Sequence, residues 1–492
     1  MKILLVYPET PSTFWSFKDA LEFVSKKSAE PPLGLITVAA MLPTNWELKL
    51  IDTNVSKLKD TDILWADYVF LSGMSVQIKS FKDILLRCSK LGIKVVAGGP
   101  LATTQYNEFL GVSHFILNEA EITLPQFLND LENGNPKYIY RSNEFPDITT
   151  TPIPRWDLLD MNKYASMSIQ YSRGCPYDCD FCSITMLNGR IPRTKTKEQF
   201  IAELDTLYRL GWKGGLSVVD DNFIGNKRKL KNDILPALIE WSKQHKYPFH
   251  LITEVSINLA DDDELVNMMV EAGFYSVFVG IESPNNQSLE ECGKSQNLKR
   301  DLVASINKLQ NKGMIVSGGF IVGFDNDTEN IFDEQINFIH HSSIPSAMVG
   351  ILNAPIGTKL FKRLKTENRL LENFSGNNMD CSINFIPKMK YDVLIRGYSK
   401  LIHTIYSPKE YYNRIKEFLL VYQRPAWMPN KLTTTEIKAF LRLLWKIGIL
   451  ENGRKHFWKL FAFSLFKHPR KFPVAMTLSV YGFHFRRIAA NL

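Results

Sequence analysis

The chain has 492 residues, of which 45% are hydrophobic and 22% charged, so it is globular and long enough to divide into two or three domains. Six cysteines are too few for a disulfide framework and suit a reducing compartment, the cytoplasm. No stretch offers the roughly 20 apolar residues that cross a bilayer, and the net charge of +8 is local: residues 431 to 492 hold twelve Lys and Arg against Glu436 and Glu451, a +10 that leaves the rest at −2.

From the N-terminus, β-rich runs alternate with stretches of helical length. KILLVYP (2 to 8), ELKLIDTNV (47 to 55), YVFLSGMSV (68 to 76), IKVVAGGP (93 to 100) and HFILNEAE (114 to 121) read as strands of a doubly wound, Rossmann-like parallel sheet over residues 1 to 140. Such a sheet binds ligands beyond the carboxyl ends of its strands. Those ends are Ser72-Gly73-Met74, Gly98-Gly99-Pro100 and Asn118-Glu119, small or polar residues that a large ligand could approach. A G-x-G-x-x-G fingerprint after the first strand is absent, which argues against a dinucleotide.

The Pro- and Thr-rich stretch FPDITTTPIPRWD predicts a linker over 141 to 165. Alternation resumes from 166 to 365 with MSIQYSRG, GLSVVDDNF, PFHLITEVSINL, YSVFVGIESP, MIVSGGFIVGF and SAMVGILNAP, six strands of a second α/β domain. In a partial barrel their carboxyl ends would gather Cys175, Asp220, Asp221, Glu254, Glu282 and Asp325.

Three of the six cysteines lie in YSRGCPYDCDFCSI, as Cys175-x-x-x-Cys179-x-x-Cys182. A structural zinc would use four protein ligands, and no second pair is present. Three thiolates on an iron-sulfur cluster leave one iron open to another ligand. Cys88, Cys292 and Cys381 are isolated and read as small packed hydrophobes.

The cysteine loop resembles the radical S-adenosylmethionine (SAM) superfamily, in which three cysteines hold a 4Fe-4S cluster and SAM chelates the fourth iron; Phe181 before Cys182 belongs to that pattern. Later segments follow in the superfamily's order. Asp220-Asp221-Asn222 is similar to the element that meets the SAM amino group, Gly280-Ile281-Glu282-Ser283 to the fourth-strand motif, and Gly318-Gly319-Phe320-Ile321 to the segment against adenine. With Glu254 at the third strand end, the resemblance implies SAM contacts at Phe181, Asp220, Asp221, Asn222, Glu254, Gly280, Glu282, Ser283, Gly319 and Ile321. Each alone has a plainer reading, since acidic residues at strand ends and glycines in strands are common. In GRIPRTK, Arg190, Arg193 and Lys195 would place positive charge near the SAM carboxylate, Arg193 foremost, or form a solvated basic loop.

A doubly wound domain before a radical SAM domain resembles the cobalamin-binding subfamily, with PPLGL, SGM, AGGP and NEAE in its order. This implies cobalamin against Ser72, Gly73, Met74, Gly98, Gly99, Pro100, Asn118 and Glu119. The Asp-x-His-x-x-Gly motif of His-ligated cobalamin proteins is missing, and His114, the domain's one histidine, reads as structural; the cobalamin is expected base-off, with no His ligand.

The resemblance implies a methyltransferase: a 5′-deoxyadenosyl radical takes hydrogen from an unactivated carbon, methylcobalamin supplies the methyl, and a second SAM restores it. Oxidation, cyclisation or rearrangement without methyl transfer is the rival, and a non-catalytic cobalamin or cluster sensor the further one. A low-potential flavodoxin or ferredoxin is the electron donor the chemistry implies.

Residues 366 to 492 read as a mainly helical, basic and aromatic region. In KLTTTEIKAFLRLLWKIGIL, Thr433 and Glu436 form a capping box, Ile437, Phe440, Leu441 and Leu444 an apolar stripe, and Lys438, Arg442 and Lys446 a basic one expected to face solvent. The aromatic-basic mixture beyond it suits peripheral contact with a membrane better than nucleic acid, which would use its apolar content poorly. This tail, with YPETPSTFWSFKDALEFVSKKSAEPPLGL, resembles the branch containing hopanoid C-2 methyltransferases, so an apolar lipid is the expected substrate.

Overall fold

The structure is a computed structural model describing residues 1–371, 375–377, 380–428 and 433–492. The first sheet holds β1 (Lys2–Tyr7), β2 (Glu47–Asp52), β3 (Tyr68–Ser72), β4 (Lys94–Gly98), β5 (His114–Ile116) and β6 (Ile139–Tyr140). All pair in parallel, in the order β2-β1-β3-β4-β5-β6. Neighbouring residues of one strand serve opposite faces: Leu4 and Val6 enter one apolar cluster, Ile3 and Leu5 another. That double burial explains the unbroken apolar runs. The short β6 was not expected; two residues are too few to show a period.

After the small pieces β8 (Ser172–Arg173) and β9 (Arg193–Thr194), which pair antiparallel, the remaining strands form the second sheet. They are β7 (Ser166–Ile169), β10 (Gly214–Val218), β11 (Phe249–Val255), β12 (Phe274–Glu282), β13 (Ile315–Val322) and β14 (Ser346–Ile351), parallel in the order β14-β13-β12-β11-β10-β7. Ser168, Ser217, Glu254, Phe278, Ser317 and Met348, one from each strand, line a common cavity, so the sheet curves into a partial barrel with that cavity in its lumen.

Residues 141–165 are packed rather than loose. Ile148, Trp156 and Tyr164 are buried, and the Tyr164 hydroxyl donates to Asp52 Oδ2 at 3.0 Å, tying the connection to the end of β2.

The C-terminal helices, among them Tyr391–Tyr406, Pro408–Val421, Thr434–Leu443, Arg454–Lys467 and Phe472–Ala489, share one apolar core with the barrel and with Phe14 and Phe23 near the N-terminus. His484 is fully buried, with Nδ1 2.9 Å from Asp19 and Nε2 3.1 Å from the Thr13 carbonyl. The capping box forms as expected, the Glu436 N–H donating to Thr433 Oγ1 and the Thr433 N–H to Glu436 Oε2. Each stripe of this helix is split, however: Phe440 and Leu444 pack on the core and Lys438 is exposed, as expected, but the other members change sides. Arg442 donates to the Glu22 and Phe23 carbonyls and to Ser25, and Lys446 pairs with Glu22, while Ile437 and Leu441 are exposed. Specific acceptors on the N-terminal segment draw Arg442 and Lys446 in and leave Ile437 and Leu441 outside.

Candidate functional site: a cavity between two sets of strand ends

The cysteine loop follows β8. Gly174 has φ +96, and a Cβ there would lie 2.9 to 3.0 Å from the carbonyl oxygens of Asn188, Gly189 and Ile191, so only glycine lets the chain turn in. The Gly174 N–H and the Asn188 amide both donate to Asp221 Oδ2, at 2.8 and 3.0 Å. Asp220 accepts from the Tyr171 and Ser172 N–H groups, each at 2.7 Å, and from the Ser172 hydroxyl. Its carboxyl is pushed up to about 7 by burial, against the pull of those donors. Asn222 bonds Ser256 through both ends of its amide. The three residues expected at the SAM amino group thus all hold loop geometry here, with both oxygens of Asp220 accepting from the loop.

Cys179 is buried and Cys175 and Cys182 half-buried; all six cysteines are free thiols. Burial raises the three thiols of the loop, Cys182 up to about 12, while the Ile184 N–H and the Lys294 charge pull against it. Thiolates in such surroundings need metal charge beside them. The three do not converge on a single-ion position, and a polynuclear cluster, which takes one thiolate per iron, does not ask them to. The donor set therefore fits the 4Fe-4S group.

Glu282 ends β12 with φ +62 and pairs with Lys294 Nζ at 2.6 Å. A Cβ on Gly280 would fall 2.4 Å from Glu282 Oε1 and 2.7 Å from Lys294 Nζ, so this glycine makes room for the pair. Burial works to lower the Lys294 ammonium, but Glu282 and Cys179 outweigh it and raise it. Ser283 is fully buried, its hydroxyl receiving the Asn285 N–H. The Phe278 ring covers Gly319, where a Cβ would come within 2.7 Å. Phe181 and Ile321 share an apolar slot of about 170 Å³ with Ile351, Leu352 and Pro355.

In the basic loop each of the three cations has a carboxylate partner. Arg193 gives its guanidinium to Glu119, at 2.7 and 3.1 Å, and to the Pro146 and Asn188 carbonyls; Lys195 is buried against Glu203; Arg190 pairs with Asp178 at the surface. Arg173, two residues before the first cysteine, bonds Glu119 at 2.7 Å and Glu121 at 2.9 Å. Glu119 and Arg193 were expected to meet different cofactors. Here they pair with each other, and with Arg173 they clasp the end of β5 to the cysteine loop.

The carboxyl ends of β3, β4 and β5 form the far wall of the cavity, where Ser72, Gly73, Met74, Gly98, Gly99, Pro100, Asn118 and Glu119 all contribute surface. Packing alone requires two of the glycines: a Cβ on Gly98 would lie 2.9 Å from the Ile116 carbonyl, and Gly99 has φ +81 with Ser72 Oγ at 2.3 Å. Gly73 meets nothing closer than 3.4 Å. Asn118 has φ +64, and its buried Oδ1 has no hydrogen-bond partner among the described residues. An orphaned acceptor on a wall of backbone and small side chains fits a large ligand rich in amide donors, as cobalamin is. His114 is packed against Tyr68 and Phe127 with Nδ1 2.7 Å from the Lys137 carbonyl, the structural role expected of it.

Between the walls lies a cavity of about 2130 Å³, well beyond the usual ~300–1,000 Å³ of a single-ligand pocket. Glu30, half-buried, reaches in from the first domain and accepts from Ser168 and Ser217. Glu254 faces the lumen and is accessible from it, though protein surrounds it; no hydrogen bond to it is formed among the described residues. Its carboxyl is pushed up to about 7 by desolvation and by Asp221 and Glu30, with Lys294 opposing. Trp15 packs tilted against Phe278, centroids 4.6 Å apart, and Met476, Val480 and Tyr481 complete an apolar side. Glu30, Lys294 and Trp15 were missed by sequence reasoning, which has no signal for contacts between residues so far apart in the chain.

Residues 169–339 match the Radical SAM superfamily, and residues 358–492 match the family described as Domain of unknown function (DUF4070). An uncharacterized methyltransferase of Synechocystis sp. is 42% identical over 99% of this chain and 91% of its own length. The hopanoid C-2 methylase of Rhodopseudomonas palustris is 32% identical over 93% of this chain and 88% of its own. Among solved structures, the cobalamin-dependent SAM radical enzyme OxsB superposes with a TM-score of 0.63 at 16% identity, covering 100% of this chain and 80% of that one. The radical SAM methyltransferase TsrM of Kitasatospora setae, with cobalamin and a [4Fe-4S] cluster bound, gives 0.62 at 13%, covering 87% and 96%. A cysteine loop at the mouth of a parallel partial barrel, behind a doubly wound domain, defines a radical SAM enzyme with the fold of the cobalamin-dependent members. Within that superfamily the chain belongs to the methyltransferase family that includes the hopanoid C-2 methylase.

Proposed function

We propose that this radical SAM methyltransferase uses cobalamin, held base-off, to methylate an unactivated carbon of an apolar polycyclic lipid of the hopanoid kind. The observation that carries the reading is the single large cavity, bounded by strand ends of both sheets and floored by Trp15, Phe278, Met476 and Tyr481. When bound, the cluster with SAM supplies a carbon-centred radical and cobalamin a methyl donor.

In this reading Cys175, Cys179 and Cys182 hold the cluster, and Phe181, Ile321 and Gly319 border the SAM adenine. Glu254 is the free carboxylate for the SAM ammonium, with Asp220, Asp221, Asn222, Gly280, Glu282 and Ser283 shaping the loops around it. Ser72, Gly73, Met74, Gly98, Gly99, Pro100 and Asn118 form the cobalamin wall, while Glu119 and Arg193 clasp that wall to the cysteine loop. The apolar side orients the lipid and keeps water from the reacting carbon, which is the main contribution a protein makes to radical chemistry. A cytoplasmic setting and a flavodoxin or ferredoxin donor agree with six unpaired thiols.

Supplying anaerobically reconstituted protein with a hopanoid and methyl-labelled SAM tests the reading. A labelled product one methylene heavier, with two SAM consumed per product, supports it. Formation of 5′-deoxyadenosine with an unlabelled oxidised, cyclised or rearranged product would replace methyl transfer, and no 5′-deoxyadenosine at all would favour a sensor.

A further inference from the structure

The helix Thr434–Leu443 and the wider turns that continue it through Leu450 present Ile437, Leu441, Trp445 and Ile449 at intervals of four, 47 to 60% exposed. The helix cannot roll this row inward, because Arg442 and Lys446 on its other side are bonded to Glu22, Phe23 and Ser25. The helix Arg454–Lys467 extends the surface: the Trp458 indole donates to the Gly448 carbonyl at 2.9 Å, the Trp458 ring packs tilted against Phe461 at 5.1 Å, and Leu465 and Phe466 are exposed. An exposed apolar patch of this extent marks an interaction site.

Its surroundings are basic. Lys438, Lys455, Lys459, Lys467 and Arg470 are exposed and form no ion pair with a carboxylate among the described residues. Exposed apolar residues with unpaired cations on the same and adjoining helical segments complement an anionic lipid surface, with side chains in the acyl boundary and cations on the headgroups. No described helix is long and apolar enough to cross a membrane, so contact of this kind lies in the interface plane.

The patch is continuous with the cavity. Phe461 packs on Phe440 and Phe472 at 6.3 and 5.1 Å, and Phe440, Leu465 and Phe472 all line the cavity. We propose that this face docks on an anionic bilayer and that the gap beside Phe440, Leu465 and Phe472 is the portal through which an apolar substrate passes from the membrane into the cavity without crossing water. The portal rests on the lipid-substrate reading; the docking surface stands without it. The inference gives a role to the segment that matches only a domain of unknown function.

Flotation of the full-length reconstituted protein with phosphatidylcholine vesicles, with and without phosphatidylglycerol, tests it. Wild type should float with the anionic vesicles and lose about tenfold in affinity on neutral ones or as salt rises. Leu441→Glu with Trp445→Glu, both exposed and outside the cavity, should cost about tenfold or more in vesicle affinity. The same variant should keep the wild-type circular dichroism and thermal transition. Its turnover should hold on detergent-dispersed hopanoid and fall about tenfold on hopanoid embedded in vesicles. Unchanged flotation of the variant would overturn the docking surface, as would sedimentation showing a dimer that covers this face with no vesicle affinity. Equal losses of turnover in detergent and vesicles would overturn the portal. Flotation as expected with no lipid methylated in either form would count against the substrate reading and leave the docking surface standing.

Discussion

Glu254→Gln should do two opposite things. In the ligand-free protein the carboxyl is pushed from 4.5 up to about 7, by burial first and then by Asp221 and Glu30. The native state therefore favours the protonated form, and the stability this brings is complete below 4.5 and is lost as pH rises through 7. The gap between those values amounts to about 3 kcal/mol, but Glu254 opens on a water-accessible lumen, and screening reduces the figure to about 1 kcal/mol. Gln is neutral at every pH, so the variant should equal wild type at pH 5 and exceed it by about 1 kcal/mol at pH 8 in urea unfolding of the apoprotein. SAM affinity should move the other way: losing one charge-assisted hydrogen bond weakens SAM about tenfold at pH 8. Anaerobic calorimetry should also show the wild-type affinity rising from pH 6 to pH 8 more steeply than the variant's. A variant less stable than wild type at pH 8, or one with the same pH slope for SAM, would refute the assignment of Glu254 as a free, ligand-facing carboxylate.

Gly174→Ala puts a methyl within 3.0 Å of three carbonyl oxygens at a positive φ, so bound iron and sulfide after reconstitution should fall about tenfold while far-ultraviolet circular dichroism is unchanged. Glu119→Gln leaves Arg173 and Arg193 short of a carboxylate in a largely buried clasp; stability should drop by about 2 to 3 kcal/mol, read as earlier proteolytic cleavage of the cysteine loop. Asp325 is held at about 2, below its usual 3.8, by Arg369 and Arg363. Its contribution of about 2 kcal/mol is present above pH 4 and is lost as pH falls from 4 toward 2. Amide exchange across the helix Lys359–Thr366 should accordingly quicken in Asp325→Asn at pH 7 and match wild type near pH 2.

The strands were legible because β-branched and aromatic runs such as KILLVY and GGFIVGF have no other comfortable place than a sheet covered on both faces. The cysteine loop was legible because its chemistry is written in adjacent residues. What stayed hidden depends on distance along the chain. Glu30 meets Ser217 across 187 residues, and Arg193 meets Glu119 across 74, so neither spacing nor periodicity carries a trace of the contact. The tail helix shows a different limit: its pattern reveals an apolar and a basic stripe, but the partner decides which members turn inward, and here Glu22 and Ser25 took Arg442 and Lys446 while Phe440 and Leu444 packed on the core. Gly98 and Gly99 were read as places a large ligand could approach; the structure shows that their own neighbours already disfavour a side chain there.

Electron paramagnetic resonance of anaerobically reconstituted protein supplied with cobalamin, before and after dithionite and SAM, tests the central claim most directly. The account predicts a base-off cob(II)alamin signal without nitrogen superhyperfine splitting, together with a reduced-cluster signal that SAM perturbs. A SAM-sensitive cluster without bound cobalamin, or a cobalt signal split by a histidine nitrogen, would contradict it.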